Sequence, residues 1–234
     1  MSTTIYWACN DTEWVRAKTP ESIYKNFSKD VKNHEKDLFL CPAIKDYMKN
    51  IFSLQSLYSY DFRISDSEKE KQVITDTYDQ KFFNDHIIIR SIENNLFSFL
   101  ERFVFFTEEK SLPMSVGITP FLEDNNITKR CNVIPGTFDI GKWFRQIEFV
   151  FYLKKDFNEF KIEENEIFQY IKFHTNEKII FKQFRINKEI QDFIHDFDSA
   201  KDFRKLKPRV LQDYYLMMKN KKMIIKQIKN NLVN

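Results

Sequence analysis

The sequence predicts an α+β protein: a mainly antiparallel β-sandwich or jelly roll, with short N-terminal helices and two C-terminal helices. Three observations carry this expectation. Phe is the dominant aromatic filler, with 25 copies against three Trp, and 42% of the 234 residues are hydrophobic, enough for a sizeable core. The stretch RQIEFVFYLK (145–154) alternates strictly, with Arg145, Ile147, Phe149, Phe151 and Leu153 on one side, the period of a half-buried strand. After Asn187 the period changes to three and four, as in amphipathic helices.

The elements follow in chain order. TPESIYKNF (19–27) predicts a short helix, with Thr19 as N-cap and Pro20 in the first turn. CPAIKDYMKNIF (41–52) repeats the device, with Pro42 opening a helix whose Ile44, Tyr47, Met48 and Ile51 share a face. SDSEKEKQ (65–72) is charged and aperiodic, a loop or hairpin tip. HIIIR (86–90) is a β-branched strand. LFSFLERFVFF (96–106) fits period two through Phe97, Phe99, Phe103 and Phe105, and fits a helix through Leu96, Phe99, Leu100 and Phe103. Alternation continuing to Phe105, with Asn and Glu at the flanks, decides for strand. Residues 109–130, with two Pro, one Gly and an Asn pair, predict a long surface connection. Strands at 145–153, 167–174 and 177–186 are close in sequence, which predicts an antiparallel meander. Asn187 caps a helix with Ile190, Phe193, Ile194 and Phe197 on one face. Beyond Pro208, Leu211, Tyr214, Met218, Ile225, Ile228 and Leu232 follow helical spacing, interrupted by Lys221.

The expected organisation is a β-sandwich domain over 1–200 and a basic amphipathic helix over 201–234, packed on that domain or on a partner. From Lys201 to Asn234 there are ten Lys or Arg against two Asp, a net +8 that leaves −5 for the rest of the chain. Such asymmetry suggests an acidic partner for the tail, or a solvated helix face. No apolar run approaches the ~20 residues that span a bilayer, so no membrane partner is expected. The N-terminus MSTTIYWACNDTEW lacks the pattern of a secretory signal.

Motifs exclude more than they assign. Cys9, Cys41 and Cys131 are odd in number and far apart, which disfavours a disulfide framework and offers no C-x-x-C pair. Three glycines can hardly build a phosphate-cradling loop, and no nucleotide-binding or nucleophile-elbow pattern is present. No cofactor is expected. The four histidines form no local metal motif; His86 and His174, both placed on strands, are weak candidates for a site completed by a distant carboxylate. No pair of carboxylates can be assigned to acid–base work, and no catalytic residue is named.

Two of the three glycines, Gly136 and Gly141, fall in NVIPGTFDIGKWFR (132–145). Pro135-Gly136 is a type II turn signature with φ > 0 at the glycine, and Gly141 can form a bulge or admit another backbone. A structural corner and a binding rim of Asp139, Trp143 and Arg145 are both open. Arg145 sits on the apolar set of its strand, where a cation needs a partner.

The residues CPAIKDYMKN, YDQKFF, IPGTFDIGKWFR and IKFHTNEKIIFKQF resemble a family of uncharacterised proteins of marine tailed phages (myoviruses), over about 40–200. The order W-F-R, alternating strand, acidic turn, strand is more distantly similar to a jelly-roll-like group of unknown function, in which proline commonly follows the arginine; here Gln146 does. The resemblance implies a viral origin and a β-sandwich, and no activity. A scarcity of Gly, Ala and Pro beside abundant Lys, Asn, Ile and Phe agrees with an AT-rich genome.

The leading functional expectation is a non-catalytic phage protein acting through protein–protein contacts, virion-associated or in the host cytoplasm. Its partner, or a second copy, would meet the C-terminal helix through Tyr214, Met218, Lys222 and Ile225. One alternative is a cupin-like enzyme, with or without a metal, with its site in the barrel mouth. Another is single-stranded nucleic-acid binding through the basic tail.

Overall fold

The computed structural model describes residues 1–10, 14–24, 41–66, 71–75, 80–100, 102–118, 126–202 and 207–233. Residues 66, 71–72, 80, 126, 197–202 and 207–218 are described at backbone level only. The chain is an α+β sandwich-like fold of mostly antiparallel sheets.

The strands are β1 (Ser2–Cys9), β2 (Glu21–Ser22), β3 (Ile51–Gln55), β4 (Tyr60–Asp66), β5 (Lys71–Ile74), β6 (Ile87–Ser91), β7 (Leu96–Phe99), β8 (Phe103–Thr107), β9 (Pro113–Val116), β10 (Cys131–Val133), β11 (Gly136–Asp139), β12 (Phe149–Leu153), β13 (Glu159–Ile162), β14 (Ile167–Phe173) and β15 (Lys178–Gln183). The helices are α1 (Pro42–Met48), α2 (Gln80–His86), α3 (Asn126–Arg130), α4 (Lys188–Asp202) and α5 (Lys207–Asn230). They build four sheets, ordered β15-β1-β8, β10-β12-β7-β6, β11-β9-β14-β3-β2 and β13-β4-β5.

One aromatic core lies between these sheets. Trp7, Phe62, Phe97, Phe99, Phe103, Phe105, Phe149, Phe151 and Phe160 are all essentially sealed from solvent within it. Their rings meet edge-on or offset, as in Phe62–Phe97 at 5.0 Å and Phe99–Phe151 at 5.2 Å, the geometry aromatic quadrupoles favour. The opposite face of β1 and β8 carries Tyr6, Ala8, Val104 and Phe106, which pack against Ile190 and Ile194 of α4 and Ile224 and Ile228 of α5. On the far side of the five-stranded sheet, Met48 of α1 covers Ile51 and Tyr170 with Ile23. The order of layers is therefore helices, sheet, aromatic core, sheet, short helix.

Several expectations hold in detail. Of the alternating set, Ile147, Phe149, Phe151 and Leu153 are buried and Arg145 is half-buried, but the strand begins only at Phe149, and residues 145–148 approach it with a single bridge from Gln146 to Val104. The Asn187 side chain accepts from Ile190 N at 2.9 Å, capping α4. Strands β4 and β5 pair antiparallel around the charged tip, whose residues 67–70 lie outside the described residues.

Others are corrected. The segment 19–27 does not start as a helix: Glu21–Ser22 pairs with β3, Ile23 and Tyr24 are helical, and 25–27 lie outside the described residues. The helix opened by Pro42 stops before Ile51, because Asn50 takes a left-handed φ of 57° and turns the chain into β3. The run 96–106 is two strands in different sheets, broken where Arg102 adopts φ 55°. Residues 109–130 are not merely a connection, since β9 lies inside the five-stranded sheet between β11 and β14. The three late strands form no meander. Strand β12 pairs with β10 and β7, β14 with β3 and β9, and β15 with β1 in parallel. The reason lies in the connections: 154–166 carries β13, which joins β4, and 174–177 crosses from one sheet to another.

Candidate functional site

The glycine corner is the first sequence candidate, and the structure makes it a joint of the fold. A Cβ on Gly141 would lie 2.6 Å from Glu109 O and 2.9 Å from Ser111 Cα, so the glycine is there to admit another backbone. Asp139 accepts hydrogen bonds from Ser111 Oγ (2.6 Å), Leu112 N (2.9 Å) and Gly141 N (3.1 Å), and pairs with Lys142 at 2.9 Å. Burial opposes its ionisation, and the bonds from Ser111, Lys142, Leu112 and Gly141 together outweigh it, holding the carboxyl below its usual range. Arg145 is half-buried; it lies 5.0 Å from the Trp143 ring and donates to Gln146 O at 3.3 Å. The three rim candidates thus work on the corner itself.

The Pro135-Gly136 turn is corrected. Gly136 starts β11 without a positive φ, and Gly117 is the glycine with φ 74°. A Cβ on Gly117 would lie 2.7 Å from Pro135 Cα, so the close approach at this turn falls on the residue the sequence hid in a presumed loop.

Lys221, read as an interruption of the apolar stripe, ties the last helix to this corner. Its ammonium donates to Glu109 O and to Gly141 O (2.6 Å) and lies 5.3 Å from the Phe106 ring. Burial lowers its pKa. Two turns later Lys229 pairs with Glu108 at 2.8 Å, and Tyr6 OH donates to the same carboxylate at 2.5 Å. With Ile224 and Ile228 buried, the last turns of α5 are docked on their own sheet. Ile225 is half-buried and Lys222 exposed, while the side chains of Tyr214 and Met218 lie outside the described residues.

The two histidine candidates do not meet. His86 is not on a strand; it ends α2, buried, with Nδ1 2.9 Å from Phe82 O and its ring stacked on Phe82 at 4.2 Å. Its position is a socket of Phe82, Tyr58 and Tyr60. His174 is exposed just past β14, with Nε2 2.7 Å from Ser115 Oγ, which is 2.9 Å from Thr137 Oγ1. Among the described residues no three His, Cys, Asp or Glu are grouped to hold a metal ion. Among the described residues, the two histidines therefore do not assemble the site that the cupin-like alternative requires.

Two features emerge that the sequence did not single out. A cleft of about 300 Å³ is lined by Asp46, Lys49, Lys172, Phe173, His174, Thr175 and Asn176. Beside it, β15 runs along the edge of its sheet. No family model, curated protein or solved structure matches this chain. On β15, Lys178, Ile180 and Lys182 are exposed while Ile179, Phe181 and Gln183 are half-buried, and Phe181 packs 4.9 Å from Phe52 across the core. Among the described residues no strand pairs with β15 on its outer side. The signal for this edge was its alternation, which the sequence shows; its parallel pairing with β1, 176 residues away, it does not.

Proposed function

We propose that this chain is a non-catalytic protein of viral origin that acts by protein–protein contact, taking an extended acidic segment of its partner along β15. One observation carries the reading: at the end of this edge the chain's own residues 231–233 already make a strand-like bridge. Arg185 N donates to Asn231 O at 2.8 Å, Val233 N donates to Gln183 O at 2.9 Å, and Leu232 lies opposite Phe184. Phe184 N, by contrast, turns inward to Trp7 O. Backbone groups alternate along a strand, so Ile179 and Phe181 turn theirs outward, in line with the positions that residues 231–233 use. A partner strand would extend that antiparallel line, with main-chain bonds for affinity and alternate side chains for specificity.

Lys178 and Lys182 select the partner's charge. In a self-pairing centred on Ile180 they would face each other across the strands, and like charges opposite one another cost about 0.2–1 kcal/mol per pair. The same lysines that blunt self-association favour an acidic strand. Ile180, 40% exposed between them, is the apolar anchor. The viral origin rests on the sequence resemblance and the AT-rich composition.

The test is selection from a displayed random-peptide library on the full chain. Enriched peptides should carry acidic residues at alternate positions around an apolar one, should slow amide exchange at Ile179 and Phe181, and should fail to bind the K178E/K182E double variant. Failure of any acidic extended peptide to enrich, or equal binding by the double variant, removes the proposal.

A further inference from the structure

We infer that the cleft beside His174 is a site for a small phosphate monoester bearing hydroxyl groups, a ligand of the sugar-phosphate class. The cleft's lining offers two ammonium groups, Lys49 and Lys172, and the His174 imidazole against one carboxylate, Asp46. A doubly charged oxyanion matches the cationic side, since charge-assisted bonds to phosphate are the strong ones. A volume of about 300 Å³ sits at the small end of ligand sites, which suits a phosphorylated sugar.

The cleft is also preorganised. Lys172 Nζ donates to Tyr47 O at 2.9 Å and lies 5.1 Å from the Tyr47 ring, so the ammonium is held in place with donors to spare, an ammonium having three. The rim 174–177 is pinned from below. Asn50 Nδ2 donates to Thr175 O at 2.7 Å and to Glu177 O at 3.0 Å, and Asn50 O accepts from Phe173 N at 3.0 Å. Thr3 Oγ1 donates to Glu177 Oε2 at 2.8 Å. His174 in turn is oriented through Ser115, itself opposite Thr137 on β11 and Lys172 on β14. A fixed rim and one fixed cation, Lys172, lower the ordering cost of binding a small ligand.

The roles divide by chemistry. Lys49, Lys172 and His174 take the phosphate oxygens. Asp46 and Asn176, exposed on the same cleft, take the ligand's hydroxyls, because a carboxylate repels the phosphate and accepts from O–H. No bond is made or broken.

The experiment titrates the full chain with ribose 5-phosphate, inorganic phosphate and ribose, by calorimetry and by the His174 ring resonances in NMR. Ribose 5-phosphate should bind with a Kd of about 1 mM or tighter, shift His174 and leave His86 unmoved. Lys49→Ala and Lys172→Gln should each weaken it on the order of tenfold, the weight of one charge-assisted contact. Lys49 is exposed, so its variant keeps the fold whatever happens at Lys172. No heat and no His174 shift, or unchanged affinity in both variants, would overturn the site. Inorganic phosphate binding as tightly as ribose 5-phosphate would overturn the roles given to Asp46 and Asn176, and ribose binding equally well would overturn the phosphate class.

Discussion

The three glycines give opposite expectations when each is replaced by alanine, and Gly141 is the sharpest case. Its new Cβ would lie 2.6 Å from Glu109 O, 2.9 Å from Ser111 Cα and 3.0 Å from Ser111 N. All three are backbone atoms, so no flexible side chain can yield. The Glu109–Ser111 segment must move, and it is held by Lys221 on Glu109 O and by Asp139 on Ser111 and Leu112. Overpacking of this kind costs about 1–3 kcal/mol. For a chain of this size that is a fall in Tm of roughly 2–12 °C, at about 2–4 °C per kcal/mol. Gly136 is the internal control. Its Cβ would find Val116 Cγ2 at 3.6 Å, an ordinary contact, and its φ is not in the left-handed region. There Gly→Ala narrows the unfolded ensemble and stabilises by about 0.4–1 kcal/mol. Calorimetric or circular-dichroism melts of both variants decide it. If G141A melts within a degree of the parent, or if G136A loses as much as G141A, the close-approach account of the corner is wrong.

Three further outcomes follow from the same coordinates. Asp139 and Glu108 both have carboxyl pKa values held below the usual range, Glu108 chiefly by its bond to Lys229 and then by Tyr6. Their stabilisation is therefore full above the unfolded value of about 4 and is lost as pH falls through the depressed native pKa; the Tm gap between parent and Asp139→Asn should shrink from pH 7 towards pH ~3, and a constant gap would contradict this. Cys41 is exposed whereas Cys9 and Cys131 are buried, with burial pushing the Cys131 thiol up to about 12, so a native thiol titration with Ellman's reagent should show one fast group and three after unfolding. Asn50→Gly keeps the left-handed backbone and removes the two bonds to the 174–177 rim, so it should loosen that rim, read as faster amide exchange there, at a smaller stability cost than Asn50→Ala, which also strains φ; equal costs would mean that the side-chain bonds alone hold the rim.

The sequence made the periodic parts of this fold legible. Phe149, Phe151 and Leu153 alternate because one side of β12 faces the aromatic core, and Asn187 announces α4 because a cap needs its side chain. What it concealed was pairing across distance. Nothing local distinguishes a turn that folds a strand back from one that carries it to another sheet, so 174–177 passed as a hairpin link. Arg102 and Asn50 hid two chain reversals, since only glycine advertises a left-handed φ. The same blindness affected the candidate sites. Asp139, Trp143 and Arg145 were visible because they cluster in sequence, and they serve the corner. Asp46, Lys49, Lys172 and Asn176 are ordinary surface residues until α1 and the end of β14 bring them to one cleft. Lys221 read as an error in an apolar stripe because the carbonyls it meets belong to residues 80 and 112 positions away.

The parallel pairing of β1 with β15 explains why both proposed surfaces lie side by side. Strand β14 runs inside the five-stranded sheet and must leave it at Phe173 to reach β1 in a different sheet. Four residues make that crossing, His174 to Glu177. Too few to hold themselves, they borrow order from Asn50 and Thr3, and the step they cut between the sheets is the cleft. Once across, β15 can take only the outer side of β1, because β8 already occupies the other. An edge is then unavoidable, and Lys178 and Lys182 are where a sequence that must expose an edge places its charge. The cleft's Asn176 stands two residues before the edge begins, so the two proposals together predict that a ligand held at the crossing slows amide exchange in the first residues of β15.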